Sequence, residues 1–136
     1  MNFDDLEYIS IDNQTTEFPK HFHETFCISL IHQGTEQIDF ENQSLFSEAG
    51  SISITNPFEI HSNPIIDINF PLKFDTIYIP NDLMKAVLEG KNIIFLKKKK
   101  NNKKEKFLFV ELKNAIDAKN PITIEFCLRQ FAKSLK

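Results

Sequence analysis

The chain has 136 residues and a mass of 15.8 kDa, the usual size of one domain built around one core. Apolar residues make up 41% and charged residues 26% of the sequence, so wholesale disorder and a fibrous repeat are excluded. The net charge of −3 hides an asymmetry, because residues 1–90 carry 3 basic and 15 acidic side chains, whereas residues 91–136 carry 13 basic and 4 acidic ones.

Neither a membrane span nor a secretion signal is predicted. No apolar run approaches the roughly 18 residues of a spanning helix, and the first residues, MNFDDLEYIS, are acidic where a signal peptide is basic and then apolar. Cys27 and Cys127 lie far apart in the chain, which matches neither a disulfide framework nor a zinc motif. We therefore expect a cytoplasmic protein with two reduced cysteines and no membrane partner.

The first eighty residues consist of short alternating stretches separated by turn signals. The stretches 37–41 (QIDFE) and 51–55 (SISIT) alternate strictly between polar and apolar residues, the period of half-buried strands. Gly34, Gly50 and Pro57 mark breaks between such stretches. Strands are predicted at residues 25–32, 36–41, 44–47, 51–55, 58–62, 65–70 and 73–79. Seven or eight short strands of this kind indicate an antiparallel sandwich or barrel.

Beyond residue 80 the pattern changes to a helical one. Pro80-Asn81-Asp82 can cap a short helix at residues 83–89, which Gly90 would end. Apolar residues then recur at helical spacing over residues 108–116. Asn120-Pro121 supplies a cap and a first-turn proline for one more helix, so two helices joined by a tight turn are predicted.

The predicted fold class is α+β and mainly β, in one domain. Strands at residues 1–79 would form the barrel, and residues 80–136 would form a helical segment. The last helix carries an apolar stripe, for which we expect a role in homodimerisation, because two helices after a closed sheet expose more apolar surface than one sheet face covers. The stripe consists of Ile124, Leu128, Phe131 and Leu135. The alternative is that the chain's own barrel covers the whole stripe.

The lysine run at residues 97–106 (KKKKNNKKEK) raises the question of nucleic-acid binding. It has no interleaved aromatic residues to stack on bases and no helical period to enter a groove. We therefore predict a solvated loop. Its segment can also dock on the acidic part of the chain, since the two carry opposite charges.

Three histidines are the side chains in this sequence that are best suited to bind a metal or a ligand. His21 and His23 are spaced to place both imidazoles on one face of a strand, and His61 can join them from a neighbouring strand. Such a set can chelate a divalent metal, can hydrogen-bond within a barrel mouth, or can line a pocket for an organic ligand. His32 lies beside a predicted turn and is interpreted as a solvent-facing side chain.

The histidine pattern resembles the first motif of the cupin superfamily. His21-Phe22-His23 and Gly34 fit the frame of that motif, but Cys27 stands where the family has a glutamate ligand. In the second motif, Gly50 and His61 keep the family's spacing. The loss of the carboxylate weakens the prediction of a metal site, so no cofactor is predicted and a divalent metal is the alternative.

A closer resemblance is to the N-terminal effector-binding and dimerisation domain of AraC-type transcription regulators. Residues 18–24 (FPKHFHE) lead into the apolar strand 26–31 and Gly34, followed by residues 50–62 (GSISITNPFEIHS) and 74–79 (FDTIYI) in the family's order. The likeness covers about residues 15–136. It implies a jelly-roll barrel that binds a small-molecule effector, helices that pair two subunits, and a separate DNA-binding unit of helix-turn-helix motifs, which these residues do not contain.

The resemblance leads to a sensory module as the predicted function. The pocket residues predicted on the strands are His21, His23, Phe26, Ile28, Ile38, His61 and Tyr78. The rival hypothesis is a small metal-dependent cupin enzyme using His21, His23 and His61, and a weaker one is a carbohydrate-binding module. The sequence leaves open which effector binds, and whether the chain is a piece of a longer protein.

Overall fold

Nine strands and three helices make up the protein, and the computed structural model describes residues 1–136. The strands are β1 (Glu7–Gln14), β2 (Phe18–His21), β3 (Thr25–Gln33), β4 (Thr35–Asp39), β5 (Ser44–Glu48), β6 (Ile52–Thr55), β7 (His61–Asn63), β8 (Leu72–Pro80) and β9 (Lys99–Lys100). The helices are α1 (Asn81–Val87), α2 (Lys103–Ala118) and α3 (Pro121–Leu135).

Two antiparallel sheets face each other as a jelly roll, or double-stranded β-helix. The larger sheet has the strand order β1-β8-β3-β6-β9, and the smaller sheet has the order β2-β7-β4-β5. Most consecutive strands lie in different sheets, as in the cupin-like barrel that the sequence predicts, whereas β4 and β5 form a hairpin within the smaller sheet. The predicted fold class, mainly β with helices at the C-terminal end, is therefore confirmed.

The larger sheet places its bulky aliphatic side chains on the face that meets the helices. Ile28 of β3 lies opposite Ile54 of β6 and Ile77 of β8, and all three are fully buried. Successive side chains of a strand point to opposite faces, so the period-two pattern of these strands supplies one aliphatic face. The helices cover this face and complete one hydrophobic core.

Helices α2 and α3 begin and end at residues that their sequence specifies. The side chain of Asn102 accepts hydrogen bonds from the backbone N–H groups of Lys104 and Glu105, which caps α2. Lys119 adopts a left-handed φ of 57° and turns the chain. The predicted cap of α3 is confirmed, because Asn120 accepts from the N–H groups at the helix start.

The apolar stripe of α3 lies inside the protein rather than on its surface. Its four members are at most 7% exposed and belong to the core between the helices and the larger sheet. The prediction that these side chains meet a second subunit is wrong for this conformation, because α1, α2 and the aliphatic sheet face already cover them. The residues concerned are Ile124, Leu128, Phe131 and Leu135.

The lysine run is docked on the barrel rather than being only a solvated loop. Strand β9 pairs with the edge strand β6, and α2 begins within the run. The Nζ atom of Lys98 forms an ion pair with Glu59 and lies 3.8 Å from the centre of the Phe40 ring. Lys99 pairs with Glu48 at 2.7 Å. The acidic partners come from distant parts of the chain, so the docking follows from the opposite charges of the two segments.

Three further differences concern the loop before β8, the first strand and the short helix. Residues 65–70, predicted as a strand, form a loop, since Pro64 and Pro71 remove ladder donors and a turn forms at Asp67. Strand β1, which pairs with β8 along the edge, was not predicted. The short helix runs over Asn81–Val87, two residues earlier than predicted, and the chain leaves it through Glu89 and Gly90 at positive φ.

Candidate ligand-binding site

A cavity of about 1030 Å³ lies between the inner faces of the two sheets. Strands of both sheets contribute to its wall, and the loop after β7 lines it as well. A jelly roll of this size usually fills its interior with side chains, and a cavity of this volume is large enough for a small organic molecule.

Small polar side chains of the larger sheet leave this space open. Ser29 of β3 lies opposite Ser53 of β6 and Thr76 of β8, and Thr55 follows two residues after Ser53. We call these four residues the hydroxyl face. The hydroxyl groups of Ser29 and Thr76 are 2.6 Å apart and hydrogen-bond to each other. An aliphatic row at these positions would fill the barrel, so the choice of short side chains creates the cavity.

Glu36 lies beside the hydroxyl face and is almost completely buried. The hydroxyl group of Ser53 donates a hydrogen bond of 2.8 Å to its Oε1 atom. Burial raises the pKa of Glu36 from 4.5 to about 7, although the hydrogen bond from Ser53 acts in the opposite direction. A carboxylate held in this way is able to exchange a proton near neutral pH.

The three histidines come together at one end of the cavity. The ring centres of His21 and His61 are 4.3 Å apart, and those of His21 and His23 are 5.0 Å apart. The Nδ1 atom of His21 lies 2.6 Å from the carbonyl oxygen of Pro19, and that of His61 lies 2.8 Å from the carbonyl of Glu59. These backbone partners leave both Nε2 atoms free to bind something else.

The histidine cluster satisfies the geometric conditions for holding a divalent metal. One candidate ligand atom from each ring lies within 4.8 Å of the other two, which suits a three-imidazole site. Burial, with the neighbouring imidazoles, lowers the pKa of His61 to about 4, and burial lowers that of His23 as well. Cys27, whose pKa burial raises to about 12, supplies a neutral thiol where cupins have a carboxylate ligand.

Comparison with known protein families matches residues 4–102 to the AraC-like ligand binding domain. The chain belongs to this family. The match spans the whole barrel and ends before α2, so it covers both sheets of the cavity. No curated protein sequence matches the chain.

Two solved structures of AraC-like regulators show the same fold at low sequence identity. A variant of apo ToxT from Vibrio cholerae is 14% identical with a TM-score of 0.64, covering 95% of this chain and 53% of that one. The AraC-like transcriptional activator CuxR is 12% identical with a TM-score of 0.55, covering 82% of this chain and 40% of that one. This AraC-like domain therefore spans about half the length of those two proteins. A cupin-2 protein from Shewanella frigidimarina is 20% identical with a TM-score of 0.44, covering 59% of this chain and 74% of that one.

Five of the seven predicted pocket residues line the cavity of the AraC-like domain. They are His21, His23, Ile38, His61 and Tyr78. The rings of His23 and Tyr78 are 5.7 Å apart, which places Tyr78 beside the histidine cluster.

Phe26 and Ile28 do not line the cavity, so their prediction as pocket residues is wrong. Both are fully buried in the core beneath the helices. Their neighbours Cys27 and Ser29 face the cavity instead, because alternate residues of a strand point to opposite faces. Apolar side chains were expected inside the barrel, but they lie on the outer face of the sheet, where the helices bury them.

Sequence reasoning missed the hydroxyl face, Glu36 and the two isoleucines of β1. A signal for the hydroxyl face was present, because strands such as SISIT place small polar residues between isoleucines that are themselves fully buried. Both faces of such a strand are covered, and the polar one faces an internal space. Ile9 and Ile11 also line the cavity.

None of the helices has the length and apolarity that crossing a membrane requires.

Proposed function

We propose that the protein is the effector-sensing domain of an AraC-type transcription regulator, with a small molecule bound between the two sheets. The observation that carries this proposal is the cavity of about 1030 Å³ that the hydroxyl face lines. The hydroxyl face and Glu36 present hydrogen-bonding groups to this space, and a small molecule that pairs with them can bind there specifically. Membership of the AraC-like ligand binding family supports the same conclusion.

The sensing function implies a path from the cavity to the helices, and strand β1 provides one. Its residues Ile9 and Ile11 line the cavity. On the opposite face, the hydroxyl group of Tyr8 donates a 2.7 Å hydrogen bond to Asp117 of α2, and the Nζ atom of Lys113 lies 5.1 Å from the Tyr8 ring centre. A ligand that shifts β1 would change the position of α2, and with it the arrangement of an attached DNA-binding domain in the cytoplasm.

A thermal denaturation screen tests ligand binding directly. We expect at least one class among sugars, organic acids, amines and aromatic compounds to raise the melting temperature of the protein, because a ligand that binds only the folded state stabilises it by mass action. Ser29→Leu, which fills the cavity from the hydroxyl face, should remove this increase. A binding signal that is the same in Ser29→Leu would place the ligand outside the cavity and contradict the proposal.

We also propose a homodimer, formed by the outer surface of the helix pair instead of the buried stripe. Four apolar side chains on α2 and α3 remain between 41% and 83% exposed. We call them the outer helix patch, and they are Phe107, Val110, Ile122 and Phe126. Exposed apolar side chains on two adjacent helices offer a surface that a partner can cover.

Light scattering tests the dimer at micromolar protein concentration. We expect a mass of about twice 15.8 kDa for the unaltered chain. Phe126→Asp should give the monomer mass, because burying a carboxylate in the dimer interface without an opposite charge beside it is costly. Leu96→Asp is the matched control, since Leu96 is 89% exposed outside the helix pair. A monomer in the unaltered chain would refute the proposed interface.

The second candidate function is that of a small metal-dependent enzyme, and the geometry of the histidine cluster favours it. His21, His23 and His61 would hold a divalent metal, which would supply Lewis-acid chemistry to a substrate in the cavity. Elemental analysis of protein purified without chelator separates the two functions. Stoichiometric metal that is lost in His23→Ala would favour the enzyme, whereas metal-free protein that binds an organic ligand would favour the sensor.

A further inference from the structure

The walls of the cavity carry acidic groups and no strongly basic ones. Glu36, Glu48 and Asp67 line the cavity, whereas no lysine or arginine does so. The 13 basic residues of the C-terminal segment all lie outside it. An anionic ligand would therefore enter without a permanent positive charge to meet it, while a cation would meet a complementary field.

Two of the three acidic groups already have partners in the protein. Glu48 forms a 2.7 Å ion pair with Lys99 and is half exposed to solvent. Asp67 accepts a 2.9 Å hydrogen bond from the backbone N–H of Asn69 in an exposed loop. Neither group needs a ligand to satisfy it, so the selectivity of the cavity depends on the third.

Glu36 is the acidic group that lacks a full set of partners. It is only 8% exposed, and its side chain accepts one hydrogen bond, at Oε1, which leaves Oε2 without a protein partner. A buried charge without a partner is costly, and the cost falls when a positively charged donor approaches. The free oxygen of Glu36 therefore identifies the place in the cavity that a charged ligand group would occupy.

We propose that the cavity binds an organic cation, a primary amine on an apolar body, with its ammonium group paired to Glu36. This inference rests on the proposed sensing function and specifies the class of effector. The ammonium group would donate one hydrogen bond to Oε2 of Glu36 and others to the hydroxyl face. The apolar body would lie against Ile9, Ile11, Ile38 and Phe74, which line the same space.

Three probes with the same aromatic body and different head groups test this proposal. They are phenethylamine, phenethyl alcohol and phenylacetate, and their dissociation constants would be measured by titration calorimetry at about pH 8, where Glu36 is ionised. We expect the amine to bind most tightly and phenylacetate not to bind. Glu36→Gln should weaken binding of the amine roughly tenfold to a hundredfold, as expected for loss of a charged hydrogen bond.

Glu48→Gln is the matched control, because it removes a carboxylate that already has Lys99 as a partner. It should change the affinity for the amine by less than about threefold, which is the scale of an exposed, screened charge. Glu36→Gln retains an acceptor for Ser53, and its circular dichroism spectrum should match that of the unaltered protein.

The outcomes distinguish failure of the cationic ligand class from failure of the sensing function on which it rests. If phenethyl alcohol or phenylacetate binds as tightly as the amine, or if Glu36→Gln leaves the affinity for the amine unchanged, the sensor remains and the cationic ligand class is overturned. If none of the three probes binds while an unrelated compound occupies the cavity, the cationic class is again overturned. If the cavity binds no compound of any class, both proposals fail.

Discussion

Replacing Phe131 by alanine is expected to lower the free energy of unfolding by about 3 to 5 kcal/mol. The side chain is fully buried, and its ring meets that of Phe109 edge to face at a centroid distance of 5.8 Å. Its removal leaves a cavity between α2 and α3 at the point where the helices meet the barrel. The loss is a large fraction of the stability of a domain of this size, so the variant would melt at a clearly lower temperature than the unaltered protein.

Phe126→Ala on the same helix is the matched comparison. The two substitutions remove the same atoms and change the helix propensity equally, but Phe126 is 65% exposed. Its effect on the monomer should stay within about 0.5 kcal/mol. Urea denaturation curves with equal slopes, recorded at a protein concentration low enough for the proposed dimer to dissociate, would give both values. Equal losses for Phe126 and Phe131 would show that the apolar stripe of α3 does not form the core described above.

The strand pattern of the N-terminal segment could be predicted from the sequence, but the face that each strand buries could not. Alternation identifies two faces in a strand such as TFCISLIH, and both are covered in the protein. Which face meets the helices depends on elements that lie fifty or more residues later. Ile28 was therefore wrongly predicted to line the cavity, which its neighbour Ser29 lines instead, although the strand itself was predicted correctly.

The start of the last helix could be predicted from the sequence, but the surface on which that helix packs could not. The start of α3 at Asn120-Pro121 depends on local chemistry, so the sequence was sufficient to predict it. Leu128 could have packed against the chain's own barrel or against a second subunit. Which of the two occurs depends on how much of the sheet is left uncovered, and no local sequence pattern shows that. The histidine cluster was predictable because residue spacing and a family resemblance agreed. The importance of Glu36 required knowing that Ser53 is its only partner.

Glu36→Gln is expected to stabilise the ligand-free protein, and by more at high pH than at low pH. The pKa of Glu36 is about 7 in the folded protein and near its ordinary value of 4.5 in the unfolded chain. Between these values the folded protein keeps a proton that the unfolded chain has released, so the free energy of unfolding falls as pH rises. Glutamine cannot titrate, and the variant escapes this loss. The gain should grow by about 2 to 3 kcal/mol between pH 5 and pH 8.

Denaturation of both proteins at the two pH values measures this difference. The other ionisable groups are the same in both proteins, so subtracting one curve from the other isolates Glu36. Glu48→Gln should behave in the opposite way, because Lys99 lowers the pKa of Glu48 and its exposed pair stabilises the folded protein slightly. A gain from Glu36→Gln that is independent of pH would mean that the carboxyl group is ionised at no cost. A pH-dependent gain would show that the ionised carboxylate of Glu36 lowers the free energy of unfolding of the ligand-free protein.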